Sequence, residues 1–511
     1  MPSKPAQIHL HPVAKTVAAA PGTPLADVLF PEGVEFPCGG RGRCRGCRVR
    51  VLAGTMEPGE AEQRLLSEKE IADGWRLACR HQVEGNVSLA IAQWESPILA
   101  DNSTYAFERV EGLGVAVDIG TTTVVAQLVD LRNGSVLAVR AELNRQARHG
   151  SDLMSRIGAS VTDAGGSALT GAIRRQVARM IGELMRAVVE RDLPPVRGVV
   201  LVGNTAMHHL FGGLDAEPLS RYPFEPERSD ALRWTASELR WTGLPEACPV
   251  TFLPCIGGFV GSDVLAGLLA VGFDHRTSPA AFLDLGTNGE IVAGNGDRIL
   301  CASTAAGPAF EGARISMGMR AATGAITAVH QLNGKWECRV LGGGEARGIC
   351  GSGLVSAVAT GLDLGTILAS GRLARGDTWM IQEPVSLHQC DVRELQLAKG
   401  AVAAGIELLL SALEIPCSEI ETAFLAGAFG NYVSLESALR IGLFPFAGER
   451  VTPAGNTALL GAKIALHAPD PVALCNAFRK RITHVSLHAD PDFQEAYVSA
   501  MRFPDPARVG A

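Results

Sequence analysis

Short apolar runs recur along this chain, and most of them end in a cluster of Gly, Thr, Asn or Asp. The clearest begins at residues 115–117. It is followed by Asp118-Ile119-Gly120-Thr121-Thr122-Thr123 and then by a second β-rich run over 124–129. The pattern predicts two strands joined by a Gly/Thr turn. The same order returns downstream: apolar 281–283, then Asp284-Leu285-Gly286-Thr287-Asn288-Gly289-Glu290, then Ile291-Val292. Such an internal repeat predicts a duplicated α/β unit. Other runs punctuate the larger part of the chain. One at 199–202 ends in Gly203-Asn204-Thr205, and one at 424–426 ends in Gly427-Ala428-Phe429-Gly430-Asn431. Cys350-Gly351-Ser352-Gly353 and Gly455-Asn456-Thr457 each open an apolar helical stretch. Strands ending in Gly turns that open helices place polar groups at the crevice of an α/β sheet. Residues 401–415 form a long apolar stretch carrying Glu407 and Glu414, which reads as a core helix.

The first hundred residues have a different rhythm. Residues 7–13 alternate like a strand, Thr23-Pro24 reads as the N-cap and first residue of a short helix through Phe30, and a strand follows at 48–52. A polar stretch at 96–111 then precedes the first repeat. The expected organisation is a small domain over 1–97, a linker over 98–111, one lobe over 112–280, and a second over 281–511 whose C-terminal part returns to the first.

Composition narrows the class. At 511 residues the chain exceeds a single core, and 47% hydrophobic with 19% charged residues is a globular balance. A net charge of −7 argues against a general nucleic-acid binder. No basic segment followed by an apolar run stands at the N-terminus, and no apolar run reaches the roughly 20 residues that cross a bilayer. The expectation is a cytoplasmic protein without a membrane partner.

Candidate chemistry falls into two groups. A strand ending in Asp beside a Gly/Thr turn offers N–H and hydroxyl donors to phosphate and a carboxylate to hydrated Mg²⁺. One such hairpin is ordinary turn chemistry, whereas two facing copies point to a nucleotide between halves. The second group is cysteine. Of 12 cysteines, eight are scattered singly and read as small buried hydrophobes. Cys38, Cys44, Cys47 and Cys79 instead form C-x5-C-x2-C-x31-C in a Gly/Arg-rich setting. Four thiolates suit an iron–sulfur cluster or zinc. Three close cysteines and a distant fourth fit a loop around a 2Fe–2S cluster better than the paired cysteines of zinc ribbons. The rim is basic (Arg41, Arg43, Arg45, Arg48, Arg50, Arg76, Arg80), which is either a solvated face or a docking face for an acidic partner. His208-His209 are adjacent on a predicted helix and point in different directions, so they do not share a metal. Arg145, Arg148 and His149 are expected to face solvent, and Asp263 is a candidate polar group in the cleft.

The order of these motifs resembles the actin-like ATPase superfamily, in which two phosphate hairpins, two connecting turns and an adenosine Gly turn surround one nucleotide. The cysteine loop resembles vertebrate-type and bacterial 2Fe–2S ferredoxins of β-grasp fold. Taken together, VAVDIGTTTVVAQLVDL, GNTAMHHLF, LPCIGGFVGSD, LDLGTNGEI, ICGSGL and FLAGAFGNY, with the ending Phe493-Gln494-Glu495…Phe503-Pro504, resemble a narrower family, the reductive activators of corrinoid proteins. The fold this implies is an α+β β-grasp ferredoxin-like domain followed by a two-lobed, duplicated α/β actin-like domain.

The resemblance also assigns roles. Cys38, Cys44, Cys47 and Cys79 ligate the 2Fe–2S cluster. Asp118 and Asp284 hold hydrated Mg²⁺ or orient the attacking water. Gly120, Thr121, Thr122, Thr123, Gly203, Asn204, Gly286, Thr287, Asn288 and Glu290 surround the phosphates of ATP, and Gly427, Ala428 and Gly430 line its adenosine. The implied activity is ATP-dependent transfer of an electron from the cluster to an inactive Co(II) corrinoid protein, giving Co(I) for methyl transfer. The implied client is a corrinoid methyltransferase or a methionine synthase. The implied donor is a flavodoxin, a ferredoxin or a reductase. Longer members carry a further domain before the ATPase part, and this chain leaves no room for it, so the homodimer that domain supports is an expectation only. Two other readings stay open: a small-molecule kinase with an accessory ferredoxin domain, and an electron carrier whose ATPase-like part only docks.

Overall fold

The computed structural model describes residues 4–11, 15–29, 32, 34, 42, 47–91, 109–150, 153–188, 193–286, 288–312, 314–319, 321, 324–332, 334–341, 344–430 and 433–505. Cys38, Cys44, Arg41, Arg43, Arg45, Thr287 and most of the expected linker lie outside the described residues.

The N-terminal part is a five-stranded sheet of β1 (Ala6–His11), β2 (Lys15–Ala19), β3 (Arg48–Ala53), β4 (Trp75–Leu77) and β5 (Val87–Ile91), in the order β2-β1-β5-β3-β4. β1 runs parallel to β5, and its other neighbour is antiparallel. The alternation of β1 buries Ile8 and Leu10 against Leu25 and Leu29 of the short helix Leu25–Leu29. A mixed sheet crossed by a helix is the expected β-grasp arrangement.

Two six-stranded sheets follow. The first holds β6 (Leu113–Ile119), β7 (Thr123–Asp130), β8 (Ser135–Leu143), β9 (Val196–Val202), β10 (Leu232–Thr235) and β11 (Pro249–Phe252), ordered β10-β11-β9-β6-β7-β8. β6, β7 and β8 form an antiparallel meander, while β9 is parallel to β6 and β11 parallel to β9. The second half opens with an identical meander of β12 (Ala280–Leu285), β13 (Gly289–Asn295) and β14 (Arg298–Thr304). A separate sheet of β15 (Ala325–Leu332), β16 (Lys335–Val340) and β17 (Gly348–Ile349) and a hairpin of β18 (Thr378–Gln382) and β19 (Val385–His388) interrupt it. Then β20 (Thr422–Ala426) pairs parallel with β12 and β21 (Val451–Gly455) with β20, and β22 (Ile482–His484) adds to the edge at β14. The repeat seen in the sequence is therefore a repeat of topology, with β12 in the place of β6.

Central strands of both sheets are apolar on both faces because helices cover both faces. Leu113, Val115, Val117 and Ile119 of β6 pack with Ile173, Val177 and Met180 of the helix Asp163–Arg186. Ala116 packs on the other side with Leu265, Leu269 and Ala462. Those last residues belong to the helices Ser262–Ala270 and Thr457–His467, which join the halves. They approach so closely that a Cβ on Gly461 would lie 1.9 Å from the carbonyl oxygen of Ala266. The helix Thr457–His467 also lies against β6 and β9, and so carries the return to the first half. The last segments stay on the second half. Phe503 is buried, Lys399 Nζ donates to the Arg502 carbonyl at 2.9 Å, and Arg440 Nη1 donates to the Pro504 carbonyl at 2.9 Å.

The expected core helix is Gln389–Leu413, longer at its N-terminus than its apolar stretch and packed on β13 and β14. It is long and apolar enough to cross a membrane, and most of that stretch is buried in the fold. The small domain touches both halves. Val136 and Val139 of β8 belong to its apolar cluster, and Asp27 accepts from Arg339 Nη2 of β16 at 2.8 Å.

Candidate functional site

Asp118 and Asp284 occupy equivalent positions near the ends of β6 and β12. Asp118 is opposite Val125 and Val202, and Asp284 is opposite Glu290 and Ala426. Each strand leads into a tight turn, with Gly120 N donating to the Thr123 carbonyl and Gly286 N to the Asn288 carbonyl, both at 3.0 Å. The first turn is braced from outside. Asn144 Nδ2 donates to the Gly120 carbonyl at 2.9 Å, and the buried Arg156 donates through Nη1 to the Thr121 carbonyl at 2.7 Å.

Two asparagines reach back to this hairpin from helix starts. Asn204 Oδ1 caps the helix Thr205–Gly212 by accepting from Met207 N at 3.0 Å, and its Nδ2 donates to Thr121 Oγ1 at 2.9 Å. Asn456 Oδ1 caps the helix Thr457–His467 by accepting from Leu459 N at 2.9 Å, and its Nδ2 donates to Asp118 Oδ2 at 3.3 Å. The second of these bonds crosses from one half to the other. Gly427 closes the site on the Asp284 side. It has φ +80°, and a Cβ there would stand 2.3 Å from Asp284 Oδ1, so no other residue fits without displacing that carboxylate.

Four acids of the cleft lie near enough for their charges to interact. Burial pushes Asp284 up to about 6. Burial, with the Asp284 charge adding to it and Asn456 opposing, takes Asp118 to about 7. Burial and then the charges of Asp284 and Asp118 take Asp263 to about 8. Glu290 is held well above the usual range by burial and then by Asp284 and Asp263. All four keep partial exposure, so they line a cleft and not a closed core. No Lys or Arg among the described residues bonds any of them. Their charges interact, but among the described residues no three of them converge as a ready-made metal site.

The expected nucleotide residues divide as follows. Asp118, Asp284, Gly120, Thr121, Asn204, Gly286 and Gly427 are placed around this cleft by the contacts above. Gly203 abuts the end of β6, where a Cβ would lie 2.6 Å from the Ile119 carbonyl oxygen. Thr122 and Thr123 complete the first turn, with Thr123 exposed, and Asn288 completes the second. Gly430 packs under Leu425, a structural contact. Thr287 lies outside the described residues, as does the side chain of Ala428. Asn144 and Arg156 carry no mark in the sequence, whereas Asn456 stands in the stretch 455–461 expected as the second connecting turn. The recurrence of Gly-Asn-Thr at 203–205 and 455–457 was a usable signal for Asn456. His208 and His209 are buried core residues, hydrogen-bonded to the Asp230 and Thr205 carbonyls, and burial pushes His208 down to about 3.

In the small domain, β3–β4 pairing brings Cys47 and Cys79 to neighbouring backbone positions, with Ala78 N donating to the Cys47 carbonyl at 3.1 Å. Cys47 is buried and Cys79 half-buried, and no disulfide joins them. Two thiols so placed fit two ligands of a shared cluster, and the other two expected ligands are outside the described residues. Part of the basic rim is structural. Arg48 Nη1 pairs with Glu70 at 3.0 Å, and Arg76 donates to the Met56, Ile71 and Trp75 carbonyls. Arg50 and Arg80 remain exposed.

Comparison with known proteins agrees with this geometry. A 2Fe-2S iron-sulfur cluster binding domain matches residues 8–84, the RACo middle region matches 113–276, and the C-terminal domain of RACo, the ASKHA domain, matches 278–508. The family's middle region thus coincides with the first six-stranded sheet. The chain is 31% identical to the corrinoid activation enzyme RamQ of Eubacterium limosum, covering 94% of this chain and 96% of that one. It is 28% identical to the [Co(II) methylated amine-specific corrinoid protein] reductase of Methanosarcina barkeri, covering 76% and 77%. A solved reductive activator for corrinoid, iron-sulfur protein superposes with a TM-score of 0.68 at 26% identity, covering 98% of both chains. Fold and site therefore define a 2Fe–2S ferredoxin-like domain fused to a two-lobed ASKHA domain. More narrowly, the chain belongs to the family of reductive activators of corrinoid proteins.

Proposed function

We propose that this chain reduces an inactive Co(II) corrinoid protein to Co(I), using ATP bound and hydrolysed between its two lobes. The reading of the cleft rests on one observation: Asp118 and Asp284, on equivalent strands of a duplicated fold, lie near enough to Asp263 and Glu290 for their charges to interact, and no Lys or Arg among the described residues bonds any of the four. Asp118 and Asp284 would hold hydrated Mg²⁺, with Thr121 and the turn N–H groups facing phosphate and Gly427 letting adenosine approach. Asn456 ties the first lobe's Asp118 to the second lobe, so a nucleotide that displaces or recruits Asp118 changes the contact between lobes.

Cys38, Cys44, Cys47 and Cys79 would hold the 2Fe–2S cluster, which supplies one-electron chemistry when bound. A cluster of ordinary ferredoxin potential, about −400 mV or above, is a weak reductant for Co(II), so coupling to ATP has a physical reason. The kinase reading leaves the ferredoxin domain without a role. The client is proposed to be a corrinoid methyltransferase subunit or a methionine synthase, and the donor a flavodoxin, ferredoxin or reductase.

The test is Asp118→Asn in the full-length, cluster-loaded protein. We expect an unchanged visible absorption spectrum, ATP hydrolysis reduced at least a hundredfold, and loss of ATP-stimulated corrinoid reduction. Undiminished hydrolysis would remove Asp118 from the site.

A further inference from the structure

The second phosphate hairpin has two sides. On one side, β20 and its Gly427 turn adjoin β12. On the other, β14 and β22 border a cavity of about 460 Å³ that shares only Asn288 with the residues assigned to the nucleotide. Both halves build its walls, with Phe224 and Phe259 from the first and Phe493 and Tyr497 from the second. Phe224 and Phe259 have ring centroids 6.3 Å apart, and Phe493 and Tyr497 stack at 5.8 Å with an interplanar angle of 4°. Phe224 holds φ +63°, a strained conformation for an aromatic residue and one found at ligand clamps. The volume lies in the range of small-molecule sites.

The polar lining consists of amide, hydroxyl and imidazole groups. No Asp, Glu, Lys or Arg among the described residues lines the cavity. An ionic ligand would find no Lys, Arg, Asp or Glu there to offset its lost hydration. Asn288 lines it from the second hairpin, Ser303 and Thr304 from β14, His484 from β22, and Ser486 and His488 from the segment after it. His484 Nδ1 lies 2.7 Å from Glu225 Oε1, and Glu225 Oε2 accepts from Gly258 N at 2.9 Å. Burial pulls the Glu225 carboxyl up, but the bond to His484, the charge His484 carries when protonated and the bond from Gly258 outweigh that and hold it below the usual range. In the neutral imidazole the ionised carboxylate holds the proton on Nδ1, and Nε2 is then an acceptor with no partner among the described residues.

We propose that this interlobe cavity is a binding site for a neutral, fused heteroaromatic molecule carrying one ring N–H. The aromatic walls take its faces and edges, and the N–H donates to His484 Nε2. Because both halves touch such a ligand, its affinity depends on the angle between them. On the nucleotide reading given above, that makes it an effector coupled to ATP.

The probe is indole, titrated into the full-length protein without nucleotide and followed by saturation-transfer NMR and calorimetry. One saturable site is expected, with 1-methylindole, which lacks the N–H, at least tenfold weaker. Ala401→Phe fills the cavity from the core helix and should abolish binding. Met154→Asp, at a rim position 47% exposed and so tolerant of change, should weaken it at least fivefold without altering the melting temperature. Absence of saturable binding, equal affinity for the two indoles, or full binding by Met154→Asp would overturn the assignment. A second titration adds a non-hydrolysable ATP analogue, and an unchanged indole affinity there would overturn only the coupling. Failure of the site and failure of the nucleotide reading are therefore separable.

Discussion

Asp118, Asp263 and Asp284 titrate in the folded chain near 7, 8 and 6, against 3.8 for an ordinary aspartate. Between those values the folded state keeps protons that the unfolded chain has already released. Stability is therefore full below about pH 4 for these groups and falls as pH rises through about 6 to 8. Without divalent cation, the melting temperature should drop across that window. Asp263→Asn should flatten the drop, and Mg²⁺ should restore stability mainly at the alkaline end, where the carboxylates are ionised. Thermal scans at several pH values check this, and a profile that does not fall between pH 6 and 8 would contradict it. Asn456→Ser separates two roles of one side chain. Serine keeps the helix cap, whose loss would cost about 1 kcal/mol, but cannot extend an amide to Asp118. Unchanged melting with about tenfold weaker nucleotide binding is expected, from the usual strength of hydrogen bonds to charged groups. Calorimetric titration reads it. The two aspartates were legible in the sequence because strand, Asp and Gly turn are consecutive. Asn144 and Arg156 were not, because they reach the Gly120 and Thr121 carbonyls from elements remote in sequence.

The lobes are joined where two helices cross at glycine. Gly461→Ala puts a methyl group into the Ala266 carbonyl, and the helices Ser262–Ala270 and Thr457–His467 must separate to accept it. A loss of about 1–3 kcal/mol in denaturant unfolding is expected, with nucleotide affinity falling as Asn456 shifts. Elements with local patterns were readable in advance: the hairpins β6–β7 and β12–β13, the turn at Gly203, and the apolar part of the core helix. Elements defined by long-range pairing were not. β22 joins β14 from far along the chain, and its three residues carry no periodic signal of their own. The sheet of β15, β16 and β17 is an insertion, and nothing in the repeat predicts one.

The small domain is seated across the two halves, through Val136 and Val139 on one side and the Asp27–Arg339 pair on the other. A change in the angle between lobes must therefore strain or break one of these contacts. Arg339→Glu should loosen the small domain, read as several-fold faster hydrogen exchange in the helix Leu25–Leu29, with cluster absorption unchanged. Arg50 and Arg80 of the basic rim are exposed, and with Arg41, Arg43 and Arg45, which lie outside the described residues, they form a candidate docking face for an acidic partner. Replacing those three with Ala should slow reduction of the cluster at low salt and leave it unchanged at high salt, as a screened electrostatic encounter requires. Sequence alone carried the two-domain order and the family. It did not show that the small domain rests on both lobes, a contact that only the folded chain creates.

The central claim is that closure on ATP drives an electron from this chain to cobalt. The direct measurement is anaerobic. Cluster-loaded protein, a low-potential reductant and a Co(II) corrinoid protein are mixed with or without Mg·ATP, and Co(I) is followed by its absorbance. Co(I) should form rapidly only with ATP and only with the Asp118-intact protein. Equal Co(I) formation with and without ATP, or none with any corrinoid protein, would contradict the account.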